Sequence, residues 1–181
     1  MRSLPVLLIL LSTYNFCLGQ QLFTEENDDG TFSVGIRDEN GFRTGEWKKY
    51  YNSGKVFILA NYVNDTLEGQ VISYYKNGNV QAENVYVAGK LNGVSKQFDI
   101  KGSPIREISY KNNLIYGNCK YYKEGILDTE LYYKNGAING PCKQYRKGIL
   151  EMEWIQLPNG VRRDQVCYDI KSGKKRNCGF F

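Results

Sequence analysis

Apolar and polar residues alternate in short runs along most of this chain, and a glycine closes nearly every run. Val56, Ile58, Ala60 and Tyr62 fall on every second position, as do Leu127, Thr129, Leu131 and Tyr133, and then Leu150, Met152 and Trp154. Val80, Ala82 and Tyr86 follow the same beat. A period of two is that of a β-strand with one covered face. On this reading these residues share a face with Tyr51, Tyr75, Tyr122 and Tyr145. The opposite face carries Tyr50, Tyr74, Phe98 and Tyr121, mixed with Gln81, Glu83, Glu107, Asp128, Glu130 and Glu151. One face is thus the more apolar and the other mostly solvated, as in many antiparallel sheets.

The glycines that punctuate the runs are periodic. Gly45, Gly69, Gly93, Gly117 and Gly140 are separated by 24, 24, 24 and 23 residues. Gly54, Gly78, Gly102, Gly125 and Gly148 are separated by 24, 24, 23 and 23. A fixed period in this range marks a repeat architecture. Within one repeat, Asn77-Gly78 lies between runs rich in Val, Ile and Tyr. Both residue types tolerate the positive φ of a type I′ hairpin, so the unit reads as a β-hairpin. A two-residue loop there sets Tyr75 opposite Val80 and Ser73 opposite Ala82. In the preceding copy it sets Tyr51 opposite Val56 and Trp47 opposite Ala60. A second series of turns joins the copies, at Asn64-Asp65, Ala88-Gly89, Asn112-Asn113, Asn135-Gly136 and Pro158-Asn159. Apolar pairs flank four of them: Tyr62 with Leu67, Tyr86 with Leu91, Tyr110 with Ile115, Tyr133 with Ile138. The two series alternate, which predicts an all-β, elongated and twisted antiparallel meander of tandem hairpins. Thirteen turn sites, from Asp29-Gly30 to Ser172-Gly173, join about fourteen strands.

The pattern Gly-x-x-x-x-Tyr-Tyr-x-Asn-Gly, followed by a Tyr and a Gly, resembles the MORN-repeat variant of YwqK-family proteins. The resemblance covers nearly the whole chain after its N-terminal segment. It implies a scaffolding or binding module with protein or membrane-linked partners. The "antitoxin" label attached to that family implies a binder of a toxin. The chain departs from the pattern at Asp99, where the second Tyr is missing, and at Gln144, where the first is missing.

Residues 1–19 read as a secretory signal helix. Arg2 supplies the positive start, Leu4 to Leu11 the apolar segment, and Cys17 and Gly19 the small residues of a cleavage site. The apolar segment is too short to span a bilayer. A rival reading acylates Cys17, against which stand the bulky Tyr14, Asn15 and Phe16. Cleavage leaves a single repeat domain, 20–181, secreted or held in the periplasm or cell envelope and not transmembrane. It comprises a degenerate first repeat at 21–44, clear repeats at 45–162 and a closing hairpin at 163–181. Terminal repeats are expected to be atypical because they cap the stack.

Cys17 leaves with the signal, so four of the five cysteines remain. An even count in an exported chain favours disulfides. A two-residue turn at Ser172-Gly173 sets Cys167 opposite Cys178, the natural pair. Cys119 and Cys142 occupy matching positions in successive repeats. On a flat meander they lie two strands apart, about 9–10 Å, beyond the reach of a disulfide. A sharply curled sheet, free thiols or other pairing remain open for these two. A four-cysteine zinc site lacks ligands at short spacing.

The chain after Gly19 keeps 23 basic residues against 19 acidic ones, a net charge of +4. Residues 20–40 hold six acids and one base, whereas residues 161–181 hold six bases and two acids. That polarity reads either as solubility of exposed edges or as self-association, head to tail, or attraction to an anionic surface.

There is no histidine, which removes Ser-His and Cys-His chemistry and most metal-ligand sets. The glycines are turn glycines at hairpin spacing, not a phosphate loop. Glu83, Glu107 and Glu130 could pair for glycosidic chemistry, but their periodic placement reads as a solvated face. Tyr-rich sheets also stack nucleic-acid bases, a partner that an export signal argues against. The expectation is therefore a non-enzymatic module without cofactor. Its binding surface is drawn from Trp47, Tyr51, Tyr75, Tyr122, Tyr145, Tyr50, Tyr74, Phe98 and Tyr121, facing a protein, a glycan or the envelope. The alternative is an immunity-type binder of a toxin.

Overall fold

A computed structural model of the protein describes residues 21–27 and 30–178. The expected signal helix and its cleavage site lie outside the described residues. Strands β1 (Gln21–Glu26), β2 (Phe32–Arg37), β3 (Arg43–Tyr50) and β4 (Val56–Val63) come first. They are followed by β5 (Thr66–Leu67), β6 (Gly69–Tyr74), β7 (Val80–Val87), β8 (Lys90–Leu91), β9 (Gly93–Phe98) and β10 (Pro104–Lys111). Next are β11 (Leu114–Ile115), β12 (Gly117–Lys123), β13 (Ile126–Lys134), β14 (Ala137–Arg146), β15 (Ile149–Gln156), β16 (Arg162–Tyr168) and β17 (Lys175–Arg176). All belong to one sheet, in which successive passes of the chain pair antiparallel. β5 and β6, β8 and β9, and β11 and β12 are halves of single passes, interrupted just before Gly69, Gly93 and Gly117. Among the described residues the chain thus crosses the sheet fourteen times, as the turn sites predict.

The turns that join the repeats are those expected. Asn64-Asp65, Ala88-Gly89, Asn112-Asn113 and Asn135-Gly136 all have positive φ at both residues, between 48° and 81°. Their flanking pairs are Tyr62 with Leu67, Tyr86 with Leu91, Tyr110 with Ile115 and Tyr133 with Ile138. Pro158-Asn159 is different. The Leu157 N–H donates to Val161 O, which closes a three-residue loop ending at Gly160, φ 83°. Proline holds φ near −65° and cannot take the first place of a type I′ turn.

The turns inside the repeats come in two lengths. In the first three clear copies the loop has three residues. The Tyr75 N–H donates to Asn79 O, the Gly78 N–H donates to Tyr75 O, and only Gly78, at φ 96°, is left-handed. Tyr51 with Lys55 and Asp99 with Ser103 repeat this arrangement. In the last two copies the loop is Glu124-Gly125 or Lys147-Gly148, with positive φ at both residues. One residue lost from the turn accounts for the step of 23 in the glycine series.

A β-bulge recurs at the third residue after each of these turn glycines. Ser73 pairs with Ala82 but Tyr74 pairs with Val80, so Gln81 is the extra residue. Phe57, Ile105, Asp128 and Glu151 hold the same place in the other copies. The expected pairs Ser73–Ala82 and Trp47–Ala60 therefore form. The expected pairs Tyr75–Val80 and Tyr51–Val56 do not, because Tyr74 and Tyr50 stand there instead. A bulge inserts one unpaired residue and inverts the facing of everything between it and the turn.

The buried row runs along the face of Trp47. Trp47 pairs with Ala60, Ser95 with Ile108, Cys119 with Leu131, Leu131 with Cys142, and Cys142 with Trp154. Cys119 and Cys142 are 0% and 1% exposed, and both are free thiols with Leu131 between them. In one sheet a row reaches such burial when the sheet coils and long flanking side chains close over it. Cys167 is bonded to Cys178, with Cα atoms 5.4 Å apart. The pair is as expected but the register is not. The closing loop has four residues, Asp169 N–H bonds to Lys174 O, and Arg176 rather than Cys178 stands opposite Cys167.

Candidate functional site

On the face away from Trp47, the sheet carries two adjacent rows, the first paired from β2 to β15 and the second from β7 to β15. The first alternates aromatic and aliphatic residues. Phe32 pairs with Tyr50, Tyr50 with Val56, Tyr74 with Val80, Phe98 with Pro104, Tyr122 with Leu127, and Tyr145 with Leu150. From Tyr50 onward the aromatic residues stand on the strand before each intra-repeat turn and the aliphatic ones after it, whereas Phe32 puts an aromatic ring at the place after the turn. Phe32 and Tyr50 stack with centroids 4.9 Å apart. Every member is half-buried. Between Tyr50 and Tyr74 the row opens into a hollow of about 410 Å³, lined by Lys48, Lys55, Val56, Leu59, Tyr74, Asn77 and Gly78.

The second row is a ladder of alternating charge. Glu83 pairs with Lys96, Lys96 with Glu107, Glu107 with Lys120, Lys120 with Glu130, Glu130 with Lys143, and Lys143 with Glu153. Opposite charges face each other at every step, the favourable cross-strand arrangement. The ammonium–carboxylate distances are 3.7 Å for Lys96–Glu83 and 3.8 Å for Lys120–Glu107. Exposed pairs of this kind are worth about 0.2–1 kcal/mol each.

The rows are tied to each other at the C-terminal half. Hydroxyls of Tyr122, Tyr145 and Tyr168 donate to carboxylates of Glu107, Glu130 and Glu153 at 3.0, 2.9 and 2.6 Å. Burial, and then the bond to the carboxylate, push the Tyr122 and Tyr145 hydroxyls up to about 12.

The aromatic residues nominated from sequence divide differently from expectation. Tyr50, Tyr74, Phe98, Tyr122 and Tyr145 share one row, although sequence reasoning had split them between two faces. The Asp128 and Glu151 bulges put Tyr122 and Tyr145 on the face of Glu107 and Glu130, away from Leu131 and Trp154. Tyr121 lies on the Trp47 side, paired with Thr129, its hydroxyl 3.3 Å from that of Tyr133. Tyr51 and Tyr75 stand at the turns. Their hydroxyls donate to Tyr74 O and Phe98 O of the next repeat at 2.7 and 2.8 Å, so they staple successive repeats. At Asp99 the carboxylate instead accepts from the Lys101 and Ser103 N–H groups. Trp47 is 3% exposed. Its ring covers Gly35, its Nε1–H donates to Ile36 O at 3.1 Å, and Arg37 and Arg43 lie over it.

Sequence reasoning missed two members of the aromatic row, Phe32 and Tyr168. Tyr168 stands 23 residues after Tyr145, so the period could have found it. It missed the lysines of the ladder because register, not composition, aligns them.

Family models match the chain at residues 43–64 and 67–88 as MORN repeat variants. Each match covers one hairpin, β3 with β4 and then β6 with β7. MORN repeats mediate protein or membrane interactions. A search of curated proteins finds no significant relative. No helix among the described residues is long and apolar enough to cross a membrane.

Proposed function

We propose that this protein is an exported, non-enzymatic interaction module that binds a protein or an envelope surface through its aromatic row. One observation carries the reading: aromatic side chains from successive repeats line up on one face beside a ladder of paired charges. Tyrosines supply large contact area at low entropic cost. The flanking Lys and Glu side chains supply a polar rim with both signs of charge, which selects partners by complementarity more than by raw affinity. The two matched MORN repeats support the same class of function. The N-terminal Arg2, Leu4–Leu11 and Gly19 pattern supports export.

The experiment is cross-linking and capture from the native envelope fraction, with Tyr74→Ala and Tyr122→Ala against Tyr86→Ala on the other face. The expected result is loss of the captured partner for the first two and retention for the third. Equal capture by all three would remove the aromatic row from the reading. Mass spectrometry of the native N-terminus, expected at Gln20, tests export separately. The resemblance to YwqK proteins favours one narrower version, in which the partner is a toxin. A toxin encoded beside this gene, and neutralised by the purified protein, is the outcome that version requires.

A further inference from the structure

We infer that this chain associates head to tail with further copies of itself, the acidic β1 end of one copy against the basic β16–β17 end of the next. Three observations lead there. Both ends of the sheet have unpaired edges among the described residues. β1 pairs only with β2, and β17 pairs only with β16. An unpaired edge is a template for another strand.

The ends also have opposite charge. Residues 20–40 hold six acids and one base, and residues 161–181 hold six bases and two acids. Glu26 on the first edge is exposed, as are Arg163, Lys174 and Lys175 on the second. Leu22 and Val161, about half exposed at 50% and 48%, add an apolar contact to each end.

The third observation is parity. Fourteen antiparallel passes make the first and last strands run in opposite directions. A copy added without reversal therefore presents its β1 antiparallel to β17, the pairing used by every neighbour in this sheet. A head-to-tail contact of this kind is heterologous and does not close, so it yields a ladder of oligomers rather than a dimer. An edge contact buries less than about 1,200 Å², the class of weak and transient interfaces.

The test is sedimentation velocity on protein expressed from the full chain and purified as the host delivers it, at several concentrations and salt levels. The average mass is expected to rise with concentration past two copies. It should fall back to one copy near 1 M salt, where the Debye length is about 3 Å. Glu26→Lys alone and Lys175→Glu alone should each weaken association about five- to tenfold, from loss of one exposed pair and gain of a like-charge contact. An equimolar mixture of the two variants should recover it, because each reversed end meets an unlike partner. That recovery also shows that both variants are folded. A single-copy mass under all conditions, a mass that stops at two copies, or a mixture that fails to recover would overturn the inference.

Discussion

Replacing Gly35 by alanine tests the packing of the N-terminal end of the sheet. Gly35 has no left-handed φ, so alanine suits its backbone. The obstacle is steric, because a Cβ there lies 2.2 to 2.4 Å from three ring atoms of Trp47. Carbon atoms in contact sit about 3.5–4.0 Å apart, so the indole must retreat by more than 1 Å, by that measure. Its exit is resisted. The Nε1–H bond to Ile36 O, at 3.1 Å, is worth about 0.5–1.5 kcal/mol. Two guanidinium carbons lie 5.5 and 5.2 Å from the ring centroid, and each such contact adds about 0.5–1 kcal/mol. Overpacking of this type costs about 1–3 kcal/mol. For a domain of this size that lowers Tm by roughly 2–12 °C. The assay is thermal and urea unfolding, followed by far-UV circular dichroism, of wild type, Gly35→Ala, Trp47→Leu and the double variant. Trp47→Leu should itself cost several kcal/mol, about 3–5 being typical for losing a buried aromatic. In its background Gly35→Ala should be neutral or gain about 0.4–1 kcal/mol, since alanine restricts the unfolded chain. An equal penalty for Gly35→Ala in both backgrounds would refute the argument, because the clash would then not be with Trp47.

Gly78→Val should destabilise by about 1–2 kcal/mol, from the φ of 96° alone, since nothing lies within 4 Å of a Cβ there. Asn79→Val should cost less. It loses one bond to Ile100 O that Asn77 also makes, and thermal unfolding decides the order. Non-reducing peptide maps should contain Cys167–Cys178 alone, and Cys178→Ser should cost about 2–3 kcal/mol, as expected for a short loop. Cys119 and Cys142, whose thiols burial pushes up, should resist alkylation until the protein unfolds and then react as two equivalents. The raised Tyr122 and Tyr145 hydroxyls set an alkaline limit. Their neutral forms are favoured in the fold, so their contribution is complete below the ordinary tyrosine value near 10. It is lost as pH rises from there through about 12. Tyr122→Phe with Tyr145→Phe should flatten that fall in a pH series of urea unfolding curves.

The repeat itself was legible in residues. Asn64-Asp65, Ala88-Gly89, Asn112-Asn113 and Asn135-Gly136 are type I′ pairs by composition, and Tyr62–Leu67 and its counterparts confirm their register, because turn chemistry acts over four residues. The Cys167–Cys178 bridge was legible for the same reason, as two thiols on either side of one turn. The facing of the tyrosines was not. It depends on the extra residue at Phe57, Gln81, Ile105, Asp128 or Glu151, and a bulge has no fixed sequence signature. One unpaired residue inverts a strand's facing, so an otherwise correct hairpin divides the aromatic row between two faces. The step from 24 to 23 could be counted, but its cause, a turn shortened at Glu124-Gly125, lies in backbone geometry. The alignment of Glu83, Lys96, Glu107, Lys120, Glu130, Lys143 and Glu153, and the burial of Trp47 over Gly35, join residues from different hairpins. Such contacts are set by how strands register and coil across the whole sheet, a tertiary property that no short window of sequence contains.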